Sequence, residues 1–293
     1  MIKKDSVTNK IKKWARAQNN VDAVILNGSR TNPCSKIDEL SDYDIAVVVK
    51  DIEKFRDDDQ WLKYFGEIMI MFKDTIDNPD IDNLKSYTRL VQYKNGLRID
   101  FNLWSHDFFS SLKSMKGLPA FLDTGYEIIY DRNDVITDLK KPRYSGYNIN
   151  KPEKKRFMNN INSFWWDIIY VGKALKRDEL FFAKYMMEDI RFKFLQRMIE
   201  WYISMKNNWE INPGKCGRGF KKYLSNDEWN ELSETFTGFE KEHNWKCLFN
   251  LMDFFRKIAI EVSINLGYEY PKQTDEEVTE YMKKIKEFKC RQT

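Results

Sequence analysis

Two carboxylates, Asp42 and Asp44, stand one residue apart at the start of the apolar run Ile45–Val49. That run predicts a strand, and because successive side chains of a strand alternate between its faces, Asp42 and Asp44 are expected to point the same way. Two like charges held side by side repel each other unless a cation lies between them. Oxygen ligands suit Mg²⁺, which commonly takes phosphate oxygens as further ligands. The pair therefore predicts a Mg²⁺ site that binds a triphosphate.

A glycine turn precedes this pair. Gly28 and Ser29 stand just after the apolar segment 23–26, which predicts another strand. Glycine lets the backbone approach a phosphate closely, and backbone amides and a serine hydroxyl can donate hydrogen bonds to its oxygens. Arg30 follows directly and is a further candidate for contact with the triphosphate. The alternative interpretations are an ordinary turn at Gly28 and a surface role for Arg30.

A third carboxylate, Asp100, lies on a segment that predicts a strand of a hairpin. Residues 94–96 read Lys-Asn-Gly between the segments 87–93 and 97–103, and Asn and Gly accept the positive φ of a hairpin turn. In the second segment the odd-numbered positions are apolar and the even-numbered ones, among them Arg98 and Asp100, are polar. Asp100 is therefore a candidate third carboxylate of the site, and its alternative role is to pair with Arg98.

The elements around these residues predict an α+β fold for the first half of the chain. A lysine-rich amphipathic segment at 7–18 predicts a helix, and the apolar runs after it predict strands. Residues 61–72 are predicted as a helix, alone or followed by a short strand. Residues 140–155 contain Pro, Gly and Asn and predict a linker. We therefore predict an N-terminal mixed-sheet domain over residues 1–150.

The second half predicts a helical domain over residues 151–293. Apolar residues recur at spacings of three and four over 157–173, 182–202 and 248–266. Gly267 follows the last of these segments, where a C-terminal cap belongs.

The composition excludes several classes of protein. With 42% apolar and 15% aromatic residues, the chain is too rich in hydrophobic side chains to be a disordered protein. No apolar run approaches the ~18 residues that a membrane span needs. Its first residues lack the hydrophobic core of a secretory signal, which predicts a cytoplasmic protein. Residues 38–82 carry 14 acidic and 5 basic residues, a balance that suits a cationic substrate or a solvated face. Four widely spaced cysteines predict free, mostly buried thiols rather than a zinc site, namely Cys34, Cys216, Cys247 and Cys290.

The motifs together resemble those of the aminoglycoside 6-adenylyltransferases, the bacterial streptomycin-modifying branch of the polymerase-beta-like nucleotidyltransferases. The superfamily pattern is Gly-Ser, then Asp-x-Asp, then a distant Asp, and all of these are present here. The resemblance covers nearly the whole chain and includes the motifs Asn27–Pro33, Asp42–Ile45, Arg98–Asp100, Phe164–Trp166, Tyr170–Lys173, Glu200–Trp201, Gly214–Lys215 and Phe220–Leu224.

The resemblance implies that AMP is transferred from ATP to a hydroxyl of streptomycin at its 6-position, giving antibiotic resistance. Asp42, Asp44 and Asp100 would be catalytic and would hold Mg²⁺, with Asp100 completing a second metal position or helping to deprotonate the hydroxyl. Lys173 would reach the nucleotide phosphates from the helical domain, although a lysine on an amphipathic helix more often only packs its stem. The candidate ATP-binding residues are therefore Gly28, Ser29, Arg30 and Lys173.

Other functions compete with this one. The acceptor could instead be a lincosamide or a protein hydroxyl. A nucleic-acid-binding protein could use the basic loop 215–222, but the acidic segment around Asp42 would repel a phosphate backbone. A non-catalytic ATP-binding regulator is disfavoured because all three carboxylates are present. We therefore expect ATP and a cationic antibiotic as partners, no nucleic acid, no membrane, and a monomer.

Overall fold

The computed structural model describes residues 4–78 and 81–288, and the chain divides into two compact units between Tyr147 and Asn148. The first unit combines a sheet with helices, and the second is helical. The predicted α+β fold, with a mixed sheet followed by helices, is confirmed.

The sheet of the first unit has the order β3-β4-β5-β2-β1-β6. Strands β2 and β5 are parallel and the other neighbours are antiparallel, so the sheet is mixed. The strands are β1 (Val21–Asn27), β2 (Tyr43–Val49), β3 (Ile68–Asn78), β4 (Leu84–Tyr93), β5 (Arg98–Ser105) and β6 (Tyr126–Asp131). The helices are α1 (Lys4–Ala17), α2 (Glu53–Asp57), α3 (His106–Ser114) and α4 (Ala120–Asp123), with 3₁₀ turns at Gly28–Thr31 and Gln60–Tyr64.

Both faces of the central strands are covered, which explains their nearly continuous apolar sequence. All residues of β1 are buried, as are all residues of β2 except Asp44. Ile11 and Trp14 of α1 contribute to the core on one face, and Phe108 and Phe109 of α3 contribute to the core on the other. The polar residues at the ends of these strands are therefore held by a rigid framework.

The predicted hairpin is confirmed, because β4 and β5 are antiparallel and Gly96 in their connection has a φ of +86°. Of the two predictions for residues 61–72, a continuous helix is wrong, whereas a helix followed by a strand agrees with the order of elements, although the helical part is only a 3₁₀ turn and the strand is longer than expected. Only Gln60–Tyr64 forms a 3₁₀ turn, and β3 then runs from Ile68 to Asn78. β3 pairs along one side with β4, the next strand of the chain, so formation of this hairpin overrides the local pattern.

The second unit packs its helices around an aromatic core, in which the rings of Phe164 and Phe255 stack with centroids 3.6 Å apart. The helices are α5 (Lys154–Lys176), α6 (Leu180–Ile190), α7 (Gln196–Lys206), α8 (Phe220–Tyr223), α9 (Asn226–Ser233), α10 (Lys241–Leu266) and α11 (Lys272–Glu287), with a π turn at Arg191–Leu195 and a 3₁₀ turn at Lys215–Gly217. The three predicted helical segments are confirmed, one of them interrupted by the π turn. Gly267 has a φ of +69° and caps α10, as predicted.

Two further expectations concern the whole chain. No helix in the described part of the chain is long and apolar enough to cross a membrane. The prediction of mostly buried thiols is wrong, because Cys34 and Cys216 are exposed and only Cys247 of the described cysteines is buried. Cys34 lies in a surface loop and Cys216 in a 3₁₀ turn, neither of which belongs to a core. Cys290 lies outside the described residues.

Candidate active site

The sheet register brings the predicted carboxylates together at one end of β2 and β5. Asp44 on β2 stands directly opposite Asp100 on the parallel strand β5 and opposite Asn27 on β1. Residues directly opposite each other on neighbouring strands have side chains on the same face of the sheet. Asp42 lies one residue before β2, and its charge acts on Asp44. Three acidic side chains therefore share one small region of the first unit.

Burial and nearby negative charge weaken the acidity of Asp44. The pKa of its carboxyl is raised from 3.8 to about 6, first by burial and then by the charges of Asp100 and Asp42, while Arg98 and Arg30 oppose the shift. A positive charge nearby stabilises the ionised form of such a carboxyl group. The site is therefore electrostatically prepared for a cation.

Arg98 supplies part of that positive charge. Its Nε and Nη2 atoms each donate to an oxygen of Asp100 over 3.0 Å, and its Nε lies 3.4 Å from an oxygen of Asp42. The predicted alternative role of Asp100, pairing with Arg98, is therefore present in the structure. Arg98 is thus a further residue of the site, and its position two residues before Asp100 on the same polar face indicates this role.

The glycine turn packs directly against the side chain of Asp44. Gly28 has a φ of +72°, and a Cβ atom added to it would lie 2.0 Å from Oδ2 of Asp44. Ser29 is exposed at the start of the turn, and the hydroxyl of Thr31 donates to the carbonyl of Gly28 over 3.0 Å. A side chain at position 28 would displace Asp44, so this turn needs glycine for space as well as for conformation.

Arg30 connects the glycine turn to the loop that carries Asp42. Its Nε donates to the carbonyl of Asp42 over 2.9 Å, and its Nη2 donates to the carbonyl of Ser41 over 2.6 Å. The guanidinium also stacks on the ring of Tyr43, 3.8 Å from the centroid. Arg30 therefore fixes residues 41–43 against the turn, and its predicted contact with a triphosphate stays a prediction.

A cleft of about 380 Å³ opens beside Asp44 and Gly28. Its walls combine amide and hydroxyl groups with aromatic rings from β5, α3 and α4, namely Asn27, Asn78, Ser86, Asn102, Trp104, Phe108 and Phe121. Tyr147 also lines the cleft, and burial, together with the charge of Asp44, raises the pKa of its phenol. Tyr147 lies in the predicted linker, where no motif indicated a role, whereas Asn102 shares the polar face of Asp100.

Lys173 belongs to the second unit, where it lies in the last turn of α5 and is half-buried. The other predicted site residues lie in the first unit and surround Asp44. The predicted contact between Lys173 and nucleotide phosphates stays a prediction.

The donor atoms of the site fit a hard divalent cation. Asp42 and Asp44 offer carboxylate oxygens only, which Mg²⁺ prefers, and burial together with the charges of Asp100 and Asp42 raises the pKa of Asp44. In residues 4–78 and 81–288, no group of three or more His, Cys, Asp or Glu side chains is arranged to hold a metal ion. Asp100 is engaged by Arg98. Asp42 and Asp44 are thus the pair that fits Mg²⁺ best, and the three-carboxylate site stays a prediction.

Comparison with known proteins identifies the family of this chain. The model of the streptomycin adenylyltransferase family matches residues 1–285. The aminoglycoside 6-adenylyltransferase of Bacillus subtilis (strain 168) is 33% identical over 265 residues, covering 89% of this chain and 90% of its own. The enzyme of the same name from Staphylococcus aureus is 31% identical over 271 residues, covering 90% of this chain and 92% of its own.

The solved structure of an aminoglycoside 6-adenyltransferase from Bacillus subtilis aligns with 98% of this chain and 100% of its own, at 25% identity and a TM-score of 0.48. The family model and the sequence relatives decide the assignment, since they cover nearly the whole chain. This protein belongs to the streptomycin adenylyltransferase family of nucleotidyltransferases.

Proposed function

We propose that this protein transfers AMP from ATP to the 6-hydroxyl of streptomycin and releases pyrophosphate. The observation that carries the proposal is the contact of the Gly28 turn with Asp44, beside Asp42 and Asp100. A turn that binds phosphate beside clustered carboxylates is the arrangement that nucleotidyl transfer needs. The names of the relatives, aminoglycoside 6-adenylyltransferases, support the acceptor class.

The chemistry of the proposed reaction is mostly positioning and neutralisation of charge. The backbone of the Gly28 turn and the hydroxyl of Ser29 would donate to the terminal phosphates. Asp42 and Asp44 would hold Mg²⁺, with Asp100 as a further ligand. When bound, the ion would offset the negative charge of the phosphates.

Asp100 has a second proposed role at the acceptor. Its carboxylate would accept the proton of the attacking hydroxyl, and the paired hydrogen bonds from Arg98 would hold the carboxylate in one orientation. Lys173 would add a positive charge to the triphosphate.

The acidic segment 38–82 supports a polycationic acceptor, because summed negative charge raises the local concentration of cations. We further propose that the protein acts as a monomer in the cytoplasm and confers resistance to streptomycin.

Mass spectrometry of the reaction products tests the proposal directly. Purified protein with ATP and Mg²⁺ should add one AMP to streptomycin and none to kanamycin or lincomycin, and Asp44→Asn should add none. Modification of lincomycin but not streptomycin would show that the proposed acceptor is wrong, while the proposed nucleotidyl transfer would still hold. Absence of transfer to every antibiotic and of pyrophosphate release would contradict the proposed function.

A further inference from the structure

The row of residues that contains Asp44 and Asp100 continues to the edge of the sheet. Leu90 on β4 stands directly opposite Asp100, and Phe72 on β3 stands directly opposite Leu90. Neighbouring strands are about 4.8 Å apart, so Phe72 lies roughly 10 Å from Asp100 across the sheet. The edge strand is therefore within reach of a small molecule whose hydroxyl lies at Asp100.

Side chains from the next row lie on the same face. Asp74 on β3 is opposite Thr88 on β4, which is opposite Asn102 on β5. The hydroxyl of Thr88 donates to Oδ1 of Asn102 over 3.1 Å, which shows that these two side chains share a face. Asn102 lies two residues after Asp100, so Asp74 belongs to the face that carries the site.

The cleft beside Asp44 also reaches this strand. Its walls include Ile76 and Asn78 of β3, together with Asp44 of β2 and Gly28, which follows β1. One cleft therefore extends along this face from the edge strand to β2. The face of β3 is thus continuous with the candidate active site.

Three neighbouring side chains of this face are open to solvent. Ile70 is 67% exposed and Phe72 is 59% exposed, and Asp74 is also exposed. One oxygen of Asp74 accepts a hydrogen bond from the amide of Thr75 over 2.8 Å. An exposed aromatic ring beside a carboxylate suits a ligand with a positive charge next to an apolar ring face. We call Ile70, Phe72 and Asp74 the β3 surface.

The sheet order determines which of the two substrates the β3 surface can bind. The Gly28 turn follows β1, on the side of β2 opposite to β5. Phosphates held by that turn would therefore lie toward β1, whereas β4 and β3 lie on the other side of β5, which carries Asp100. We infer that the β3 surface binds the cationic acceptor, with Asp74 pairing with a guanidinium or ammonium group and Phe72 stacking on it. This inference rests on the proposed function.

The test compares two acidic residues of the same strand. Asp74→Asn removes a charge from the site face, and Asp77→Asn removes one from the opposite face, where Asp77 lies 3.8 Å from Lys85. We expect Asp74→Asn to raise the KM for streptomycin about two- to fivefold, the range of an exposed ion pair, with kcat and the KM for ATP unchanged. The effect should disappear near 1 M salt, where the screening length is about 3 Å. Asp77→Asn removes the same charge from segment 38–82 but not from the site face, so it should raise the KM for streptomycin less than about twofold.

A second pair of variants tests the aromatic ring. Phe72→Ala should raise the KM for streptomycin about two- to fivefold, and Phe72→Tyr, which keeps a ring, should restore it. Circular dichroism checks that each variant is folded, which is expected because Phe72 is exposed.

Calorimetric titration of streptomycin without ATP separates failure of this inference from failure of the proposed function. If the wild-type protein transfers AMP and both Asp74→Asn and Phe72→Ala bind streptomycin like Asp77→Asn, the β3 surface is not the acceptor site. If the wild-type protein binds streptomycin without transferring AMP, and Asp74→Asn binds it more weakly, the surface is supported and the proposed reaction fails.

Discussion

Oδ2 of Asp44 lies 2.0 Å from the position that a Cβ atom would take on Gly28. The distance is shorter than any contact between unbonded carbon and oxygen atoms, so the turn and the carboxylate can coexist only while position 28 has no side chain. The chain thereby couples the turn that is proposed to bind phosphate to the acid that is proposed to bind a cation.

Gly28→Ala is expected to abolish most AMP transfer and to lower stability. The positive φ alone should cost about 1–2 kcal/mol of unfolding free energy, and the added methyl group must also move Asp44. Gly96→Ala is the matched control, because Gly96 has a φ of +86° and no atom within 4 Å of an added Cβ. Both variants should lose stability in thermal unfolding, but only Gly28→Ala should lose turnover. Equal turnover in the two variants would show that the contact with Asp44 has no catalytic importance.

Asp44→Asn should abolish transfer and yet stabilise the metal-free fold. The pKa of Asp44 is raised from 3.8 to about 6, so the folded state opposes ionisation. Above pH 6 the ionised carboxylate lowers the unfolding free energy of the wild-type protein by on the order of 1–3 kcal/mol. This loss declines as the pH falls through 6 toward 4. Denaturant unfolding in the presence of EDTA should therefore show a more stable variant at pH 7.5 and no difference at pH 4. A variant less stable than wild type at pH 7.5 would refute this view of the site.

Arg30→Lys distinguishes a structural role from a phosphate contact. Lysine keeps the charge but cannot donate to the carbonyls of Ser41 and Asp42 while stacking on Tyr43. If Arg30 positions Asp42, Arg30→Lys and Arg30→Ala should both reduce kcat by roughly tenfold or more, as hydrogen bonds to charged groups are worth about 1.5–3 kcal/mol. Full activity in Arg30→Lys, with a raised KM for ATP only in Arg30→Ala, would instead identify a triphosphate contact.

The sequence predicted the parts of the site that depend on local periodicity. The apolar run after Asp44 predicted β2, and the alternation after Gly96 placed Asp100 on a polar face. Pairing across the sheet depends on register, which the sequence does not display. The alignment of Asp44 with Asp100, and of Asp100 with Leu90 and Phe72, therefore became visible only in the fold.

The errors share a physical cause. Residues 68–78 form a long edge strand because one side of the strand pairs with β4, the strand that follows it, and the pattern of residues 61–72 alone does not show that pairing. Tyr147 was missed for the same reason, since its place in the cleft depends on contacts far along the chain. The role of Arg30 depends on backbone carbonyls, which no residue pattern reveals.

Lys173→Ala should raise the KM for ATP about tenfold and leave the KM for streptomycin unchanged. An ammonium group stabilises most where negative charge is concentrated, and the triphosphate carries more of it than any group of the acceptor. Lys176→Ala is a suitable control, because Lys176 lies on the same helix and its Nζ donates to the carbonyl of Lys286 over 2.9 Å. Steady-state kinetics with ATP and then streptomycin as the varied substrate would measure both KM values. Equal KM values for the two variants would show that Lys173 does not contact the triphosphate.

Asp100→Asn should reduce kcat by about 10²–10⁴-fold, the usual contribution of a general base, with little change in the affinity for ATP. The amide oxygen of asparagine can accept only one of the two hydrogen bonds from Arg98, because the NH₂ group that replaces the other oxygen is a donor, so the variant changes both basicity and orientation. Single-turnover kinetics would give the rate of transfer, and calorimetric titration with a non-hydrolysable ATP analogue would give the affinity. Since the charge of Asp100 also raises the pKa of Asp44, the variant should bring the Asp44 pKa down toward its ordinary value. A large loss of nucleotide affinity would instead make Asp100 chiefly a ligand of the nucleotide-bound metal.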